Sequence, residues 1–341
     1  MGTTITVGGG NHNVVVFGNG TVIAGNGNDT ITIGGVGKVT AGNGNDSIAI
    51  YSGGNVTAGN GNDTISVGGF GTVKAGSGND KITLYSGGNV SAGNGNDTIG
   101  VGGWATVKAG SGNDKITLYS GGNVTAGNGN DSITVDGQGA ITVGSGQDGL
   151  TLLGSGTVHQ TGLSGNDTIT LGFGSDTIFE AGHATVHGVF GSASISGGTL
   201  AFTDTKSGEQ IEDALHGKAT LVGGNFSNEF IGGTGTTIMK GGLGPDTFIG
   251  GSGMETMTGG ANHNVFEFLA SEAGGHHVIT NFIGGQDQLY LEGYSLSYLQ
   301  QHHDIRISGG NTYISLDGGK TTIELQGVTK LDSSDITKHK P

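Results

Sequence analysis

The sequence predicts an all-β fold, a β-solenoid of stacked 17-residue coils, on three observations. The chain of 341 residues contains 76 glycines and only two prolines, a composition that weakens helices and supplies tight turns. A glycine-rich turn with one aspartate recurs every 17 residues. Between successive turns, apolar and polar residues alternate with a period of two, which is the period of a β-strand.

The repeated turn motif is represented by residues 24–31, where the sequence reads AGNGNDTI. A 34-residue period is superimposed on the 17-residue one, because residues 63–96 and 97–130 differ at only four positions. Such near-identity predicts one unit that stacks on copies of itself. The aspartates of the series are Asp29, Asp46, Asp63, Asp80, Asp97, Asp114, Asp131 and Asp148.

Two short strands fit into each coil. The first places Ile31 and Ile33 on one side, and the second turns Val39 and Ala41 toward the same interior. Neither strand can bury a face alone, so the stacked coils must share one core. The small inward residues of the second strand predict that this core is thin.

The spacing changes from about residue 160, and four regions are predicted. Residues 1–160 form the regular solenoid, 161–222 are irregular coils with an insert, 223–267 are nonapeptide coils, and 268–341 are a small β-rich cap and secretion domain. Residues 207–215 predict a short helix inside the insert. Leu296–Gln301 predicts a helical turn inside the cap.

Composition and charge exclude several classes of function. The formal net charge of −15 predicts no binding to nucleic acid or to anionic lipid, and no apolar run reaches the roughly 20 residues of a membrane span. The chain has no cysteine and none of the motifs of serine esterases, zinc proteases or nucleotide-binding loops. We therefore expect a binding or structural protein, with a polysaccharide-acting enzyme kept as an alternative.

The repeated aspartate points to a cation. Stacked coils lie about 4.8 Å apart, and adjacent carboxylates at that distance repel by about 0.9 kcal/mol in bulk water and about four times that at an effective dielectric near 20. Calcium between successive turns would reverse this repulsion, since it prefers carboxylate and carbonyl oxygens. The alternative is that each aspartate caps backbone amides in its own turn. The predicted ligands are the eight aspartates named above together with Asp167, Asp176 and Asp246.

The turn AGNGNDTI resembles the nonapeptide GGxGxDxUx of RTX (repeats-in-toxin) proteins, over about residues 20–180 and 223–267. The resemblance implies a right-handed parallel β-roll, calcium between successive turns, and folding triggered by calcium outside the cell. Residues 264–268 and 279–289 resemble the segment that closes RTX regions ahead of an uncleaved C-terminal export signal. The resemblance thus implies type I secretion and a location outside the cell or on its surface.

Two features depart from the RTX pattern. Alanine stands in place of the first glycine, as at Ala24 and Ala41, and only one of the two turns in each coil carries an aspartate. We therefore expect ions along one edge of the solenoid only. Of the later nonapeptides, only the one with Asp246 keeps the ligand.

The edge without aspartate carries nearly one aromatic residue per coil. Tyrosines two coils apart are predicted to lie about 9.6 Å from one another, a spacing on which sugar rings could stack. The alternative is that the rings cover glycine backbone or pack against a neighbouring molecule. The candidate glycan-binding residues are Tyr51, Phe70, Tyr85, Trp104 and Tyr119.

The predicted function is that of a secreted, calcium-stabilised β-solenoid with a structural, extracellular-matrix or adhesion role. One alternative is a carbohydrate-binding module or polysaccharide-acting enzyme. Another is an ice-binding protein, because outward asparagine and threonine ladders resemble ice-binding arrays, although Lys81 and Lys115 interrupt the threonine ladder. The expected partners are an extracellular polysaccharide or a cell-surface component, and a second copy through the solenoid ends.

Overall fold

The computed structural model describes residues 2–162, 165–179, 183–188, 190–196, 199–204, 209–213, 218–223 and 227–337. The chain divides into two compact units, Met1–Ile169 and Thr170–Pro341, called unit 1 and unit 2 below. The predicted all-β solenoid with 17-residue spacing is confirmed. Among the described residues, no helix is long and apolar enough to cross a membrane.

Unit 1 consists of two parallel sheets, with strands numbered in chain order. Sheet A contains β1 Thr3–Thr6, β3 Gly20–Ile23, β5 Val36–Asn43, β7 Gly53–Asn60, β9 Gly71–Ser77, β11 Gly88–Asn94, β13 Ala105–Ser111, β15 Gly122–Thr125, β17 Gly139–Val143 and β19 Gly156–Gln160. Sheet B contains β2 Asn13–Val16, β4 Thr30–Ile33, β6 Ser47–Ile50, β8 Thr64–Val67, β10 Lys81–Leu84, β12 Thr98–Val101, β14 Lys115–Leu118, β16 Ser132–Val135 and β18 Gly149–Leu152. The strand β20, Asn166–Leu171, follows.

Each strand of unit 1 pairs in parallel with its equivalent one coil away. Ile82 of β10 lies beside Ile99 of β12, and Val56 of β7 lies beside Val73 of β9, so every pairing has an offset of one repeat. From Ile31 onward, the inward-facing apolar side chains of unit 1 are at most 3 % exposed. The alternation of the sequence therefore becomes the alternation between core and solvent.

The thin core follows from the small residues of sheet A. A Cβ atom added to Gly37 of β5 would lie 2.8 Å from Cδ1 of Ile33 on β4. The isoleucines of sheet B thus reach the backbone of sheet A at this point, and a larger residue there requires these side chains to shift.

Unit 2 is built of longer and less regular coils. One set of parallel strands comprises β21 Phe173–Phe179, β23 Phe190–Ser196, β25 Glu209–Asp213, β27 Asn228–Ile231, β29 Thr247–Ile249, β31 Val265–Phe268, β33 Gln288–Leu291 and β37 Ile336–Thr337. The other comprises β22 His183–Gly188, β24 Thr199–Asp204, β26 Lys218–Val222, β28 Thr236–Gly242, β30 Met254–Gly260, β32 His276–Ile279 and β36 Thr321–Leu325, and β34 Ile305–Ser308 and β35 Asn311–Leu316 extend it as antiparallel neighbours. Helix α1 is Leu296–Gln301, and the 3₁₀ turns are Ala270–Glu272 and Asp317–Gly319.

A phenylalanine ladder forms part of the core of unit 2. The rings of Phe230, Phe248 and Phe266 stack at centroid distances of 5.0 and 4.9 Å, and each is fully buried. These residues are 18 positions apart, because two nonapeptides make one coil. Offset stacking of this kind adds to the stabilisation from buried area alone.

Two local predictions had different outcomes. The helix predicted over residues 207–215 is wrong, because residues 209–213 form β25, and residues 207–208 and 214–215 lie outside the described part of the chain. Pairing with β23 and β27 satisfies the backbone on both sides and overrides the weak local preference for helix. The helical turn at Leu296–Gln301 is confirmed, and Ser295 caps it by accepting a hydrogen bond from the amide of Tyr298.

Candidate functional site

The aspartate column of unit 1, from Asp29 to Asp167, points into the solenoid at the turn that leads into sheet B. The side chains of Asn28 and Thr30 are exposed, whereas that of the intervening Asp29 is 1 % exposed. The other members of the column are buried to the same degree. The turn is possible because Gly27 two residues earlier has a φ of +140°, a backbone conformation that other residues rarely adopt.

One oxygen of each carboxylate joins neighbouring coils. Oδ1 of Asp46 accepts a hydrogen bond of 2.8 Å from the backbone amide of Asp29, and Oδ1 of Asp63 accepts one of 2.7 Å from the amide of Asp46. The same bond, of 2.7 to 2.9 Å, continues through Asp80, Asp97, Asp114, Asp131, Asp148 and Asp167. The aspartates thus do cap backbone amides, but in the preceding coil rather than in their own turn.

The second oxygen of each carboxylate has no hydrogen-bond partner. It is buried in all nine members of the column, from Asp29 to Asp167. An ionised oxygen enclosed without a donor is costly, because it has lost its hydration and gained nothing in return. A proton or a cation is needed to compensate this charge.

The pKa values show the same penalty for the ionised form of these carboxyls. Burial, reinforced by the neighbouring carboxylates, raises the pKa of Asp63, Asp114 and Asp148 to about 7, although the backbone hydrogen bond opposes the shift. Burial also raises the pKa of Asp80 to about 6. The pKa values of Asp46, Asp97, Asp131 and Asp167 are raised for the same first cause.

The donor set of the column fits a hard divalent cation. Adjacent coils supply two carboxylates to each gap, and the described residues contain no cluster of three or more acidic, histidine or cysteine side chains. Further ligands must therefore be main-chain carbonyls of the glycine-rich turns or water. Calcium accepts such all-oxygen sets, whereas zinc and other soft ions prefer nitrogen and sulfur.

The first position of the column is His12, which the sequence argument missed. Both the backbone amide of His12 and its ring Nδ1 contact Oδ1 of Asp29, at 2.8 and 3.0 Å. The signal was present, since His12 lies one repeat before Asp29. A histidine there closes the column with a donor where no earlier carboxylate exists.

Unit 2 contains a shorter column with less charge. Oδ1 of Asp246 accepts hydrogen bonds from the backbone amide and the side-chain amide of Asn228, and its own amide donates to Oδ1 of Asn264. The amide of Asn264 donates in turn to Asp287, a member that sequence reasoning missed because an insertion precedes it. Asp176 is buried within β21, in register with Ala193 of β23.

A buried acid–base pair lies elsewhere in unit 2. Glu255 and His277 belong to neighbouring strands β30 and β32, are directly opposite in register, and are fully buried. The carboxylate Oε2 of Glu255 contacts Nδ1 of His277, whose Nε2 lies 3.0 Å from the carbonyl oxygen of Gly274. Glu255 occupies the sixth position of its nonapeptide, where an aspartate stands in the RTX pattern.

We expect Glu255→Gln to destabilise the protein by about 1–3 kcal/mol, because the buried histidine loses its carboxyl partner. Thermal unfolding in calcium-containing buffer measures the change. The matched control is Glu272→Gln, which changes an exposed glutamate and should leave the unfolding midpoint unaltered. Equal midpoints for Glu255→Gln and the wild type would show that the pair contributes nothing.

The aromatic residues form two rows rather than one. The backbone amides of Tyr51, Tyr85 and Tyr119 continue the ladder of sheet B, whereas the carbonyls of Phe70 and Trp104 accept hydrogen bonds within sheet A. The five rings remain 54 to 70 % exposed. Over residues 51–121, glycine stands in each coil that lacks a ring at a given row. A Cβ on Gly121 would lie 3.1 Å from the ring of Trp104. The 34-residue period is thus an alternation of rings between the two sheets.

Asparagine ladders line the outside of the aspartate turn. Oδ1 of Asn28 accepts from the amide of Asn45, and Oδ1 of Asn45 accepts from that of Asn62, with both side chains exposed. Beside them, Lys81 and Lys115 occupy the threonine column in the structure as in the sequence. Ice binding by this surface stays a prediction.

The match to a family of calcium-binding repeats agrees with this geometry. The family model of the RTX calcium-binding nonapeptide repeat matches in four copies, over residues 14–32, 161–179 and 231–266, which include Asp29, Asp167 and Asp246. One similar solved structure is that of a hyperactive, Ca²⁺-dependent, beta-helical antifreeze protein from an Antarctic bacterium, with 22 % identity and a TM-score of 0.35 over 86 % of this chain and 88 % of that one. No curated protein matches the chain by sequence.

Proposed function

We propose that this chain, a calcium-binding β-solenoid of the RTX nonapeptide-repeat family, is secreted and has a structural, extracellular-matrix or adhesion role. The observation that carries the proposal is the column of nine buried aspartates, each with one oxygen that has no partner. Such a column favours folding where calcium is plentiful. A regular surface that calcium stabilises is suited to binding another surface rather than to catalysis.

Calcium would supply charge compensation at the column. It would be held by the second oxygens of aspartates in adjacent coils, such as Asp97 and Asp114, together with oxygens of the turn backbone. The chain's own contribution is the hydrogen bond that each carboxylate accepts from a backbone amide of the preceding coil, which fixes the register of the carboxylates. Export by a type I system is proposed from the RTX membership and from the C-terminal sequence.

Carbohydrate binding is the second candidate, and the exposed aromatic rows favour it. Trp104 is 54 % exposed and Phe70 is 66 % exposed, although burial of such rings stabilises proteins. Rings kept in solvent at regular intervals are typical of surfaces that stack on sugars. The two candidates are compatible, because adhesion to a matrix needs a ligand on that matrix.

The proposal is tested by replacing one member of the column in two ways. Asp114→Asn keeps an oxygen that can accept the hydrogen bond from Asp97, as Asn264 does for Asp246, but it removes the charge. We expect this variant to bind less calcium and to melt at lower temperature than wild type in calcium. In excess chelator at pH 8 we expect the reverse order, because one repelling charge has gone.

Asp114→Ala is the companion variant. It removes the hydrogen bond as well as the charge, so it should be less stable than Asp114→Asn with and without calcium, by about 1 kcal/mol or more. Calorimetric calcium titration and thermal unfolding measure both effects. If Asp114→Asn bound as much calcium as wild type and melted at the same temperature, the column would not be the calcium site.

A further inference from the structure

The solvent-facing charge of unit 1 has the opposite sign to the charge of the whole chain. Unit 1 contains ten aspartates and no glutamate, and nine of these aspartates form the buried column. Of its acidic residues only Asp136 is exposed. All of its lysines are exposed on strand faces, and these are Lys38, Lys74, Lys81, Lys108 and Lys115. The surface offered to a partner is therefore cationic.

The outer face of sheet A combines these lysines with aromatic and polar side chains. Along β9 and the residue before it, Phe70, Thr72 and Lys74 share the outer face, since Val73 and Ala75 are buried. The next coil presents Asn89 and Ser91 at the corresponding places.

The pattern then repeats two coils on. Trp104, Thr106 and Lys108 occupy the outer face of β13 and its preceding residue, and Lys108 lies two coils from Lys74 in the same column. One ring and one ammonium group thus recur about every 9.6 Å along the axis. This length is comparable to the repeat of a disaccharide in an extended polysaccharide.

A groove opens on the same face near the first coils. It has a volume of about 810 Å³, and its lining includes Asn19, Thr21, Val36, Lys38, Asn55 and Phe70. Amide, hydroxyl, ammonium and ring groups therefore converge on one open depression. That mixture suits a sugar with an acidic substituent better than it suits a purely apolar ligand.

We propose that the outer face of sheet A binds a linear anionic polysaccharide along the solenoid axis. The lysines contact its acidic groups, the rings of Phe70 and Trp104 stack on its sugars, and the threonine and asparagine side chains bind its hydroxyls. The inference rests on the adhesion role proposed above and adds the chemical class of the ligand and the face that takes it. The acidic group is a carboxylate or a sulfate.

Nucleic acid is the competing polyanion, and the spacing of the lysines disfavours it. Duplex DNA carries one charge per about 1.7 Å of its axis, far denser than one ammonium group per two coils. This face also lacks the arginines that commonly bind phosphates, since the sole arginine of the chain, Arg306, lies in unit 2. A polymer with sparse charges matches the face better.

The test uses the full chain saturated with calcium and isothermal titration with four probes. Hyaluronan oligosaccharides carry carboxylates, dextran sulfate carries sulfates, dextran is neutral, and a DNA duplex is the competing polyanion. We expect binding to hyaluronan or dextran sulfate that weakens with salt, and none to dextran. Binding to only one of the two acidic probes identifies the acidic group. DNA bound more tightly than both acidic polysaccharides would overturn the proposal.

Two sets of variants place the binding on the face. Replacing Lys38, Lys74 and Lys108 of sheet A by glutamine should weaken binding by about tenfold or more. Replacing Lys81 and Lys115 of sheet B by glutamine is the matched control and should change it by less than about twofold. Equal losses in both sets would show diffuse attraction and overturn the assignment to sheet A.

Two further measurements separate this inference from the proposed function. Trp104→Ala should weaken binding without changing its dependence on salt, since stacking involves no counterion release. Circular dichroism in calcium establishes that each variant is folded. A chain that calcium stabilises but that binds none of the acidic probes would overturn this inference alone. A chain that calcium does not stabilise would overturn the proposed function instead.

Discussion

Removal of calcium at pH 8 is expected to abolish the parallel-sheet circular dichroism of unit 1. At this pH the carboxylates of the column ionise, since even the raised pKa values of Asp63, Asp114 and Asp148 are about 7. Adjacent charges about 4.8 Å apart repel by about 3.5 kcal/mol at an effective dielectric near 20. Summed along the column, this repulsion exceeds the 5–15 kcal/mol by which domains are typically stable.

The pH dependence in chelator gives this prediction its sharpest form. The carboxyls of Asp63, Asp80, Asp114 and Asp148 have higher pKa values in the folded chain, about 6 to 7, than the ordinary value of 3.8. Between about pH 4 and pH 7 the folded state therefore binds more protons than the unfolded state. Stability then rises as the pH falls through this range. We expect chelated protein to regain its sheet signal, or to melt at least roughly 10 °C higher, at pH 5 than at pH 8.

The calcium-loaded protein should respond to pH in the opposite direction. Calcium needs the ionised carboxylates, so protons compete with it, and the unfolding midpoint should fall as the pH drops below about 6. Thermal unfolding across pH 5–8, with excess calcium or with excess chelator, measures both curves. Parallel curves in the two buffers would contradict the assignment of the column as the calcium site.

Gly93→Ala is expected to be among the most disruptive single substitutions in the regular coils. Gly93 has a φ of +125°, and a Cβ atom there would lie 1.6 Å from the carbonyl oxygen of Gly76 in the preceding coil. The left-handed conformation costs a non-glycine residue about 1–3 kcal/mol, and relief of the clash by moving two coils apart costs a further 1–3 kcal/mol or so. We therefore expect a loss of about 2–6 kcal/mol, measured by denaturant unfolding in calcium.

Gly100→Thr is the matched control for a glycine in the same part of the chain. Gly100 lies on the outer face of β12, nothing lies within 4 Å of a Cβ atom added there, and its neighbours in the adjacent coils are Thr83 and Thr117. The substitution should be neutral or slightly stabilising, since threonine suits a strand better than glycine does. If both variants lost the same stability, the close approach of coils at Gly93 would not matter.

Much of the fold could be predicted because a two-residue period and a 17-residue period are both visible in the amino-acid sequence. The inward position of Ile31 and Val39 followed from alternation alone, and burial confirms it. The helix over residues 207–215 was predicted wrongly because local preference does not show which strands lie on either side. Asp287 was missed because the insertion before it breaks the period.

The sequence by itself determined the repeat, the inward columns and the presence of a row of aspartates in register. Periodicity fixes where a residue lies within its own coil, and the residue 17 positions later lies at the equivalent place in the next coil. Only the tertiary structure decided what each residue meets in the next coil. It showed that an aspartate bonds to the preceding coil, that Tyr85 and Trp104 belong to different sheets, and that the lysines carry the exposed charge. Such contacts depend on the stagger between coils, which no single repeat encodes.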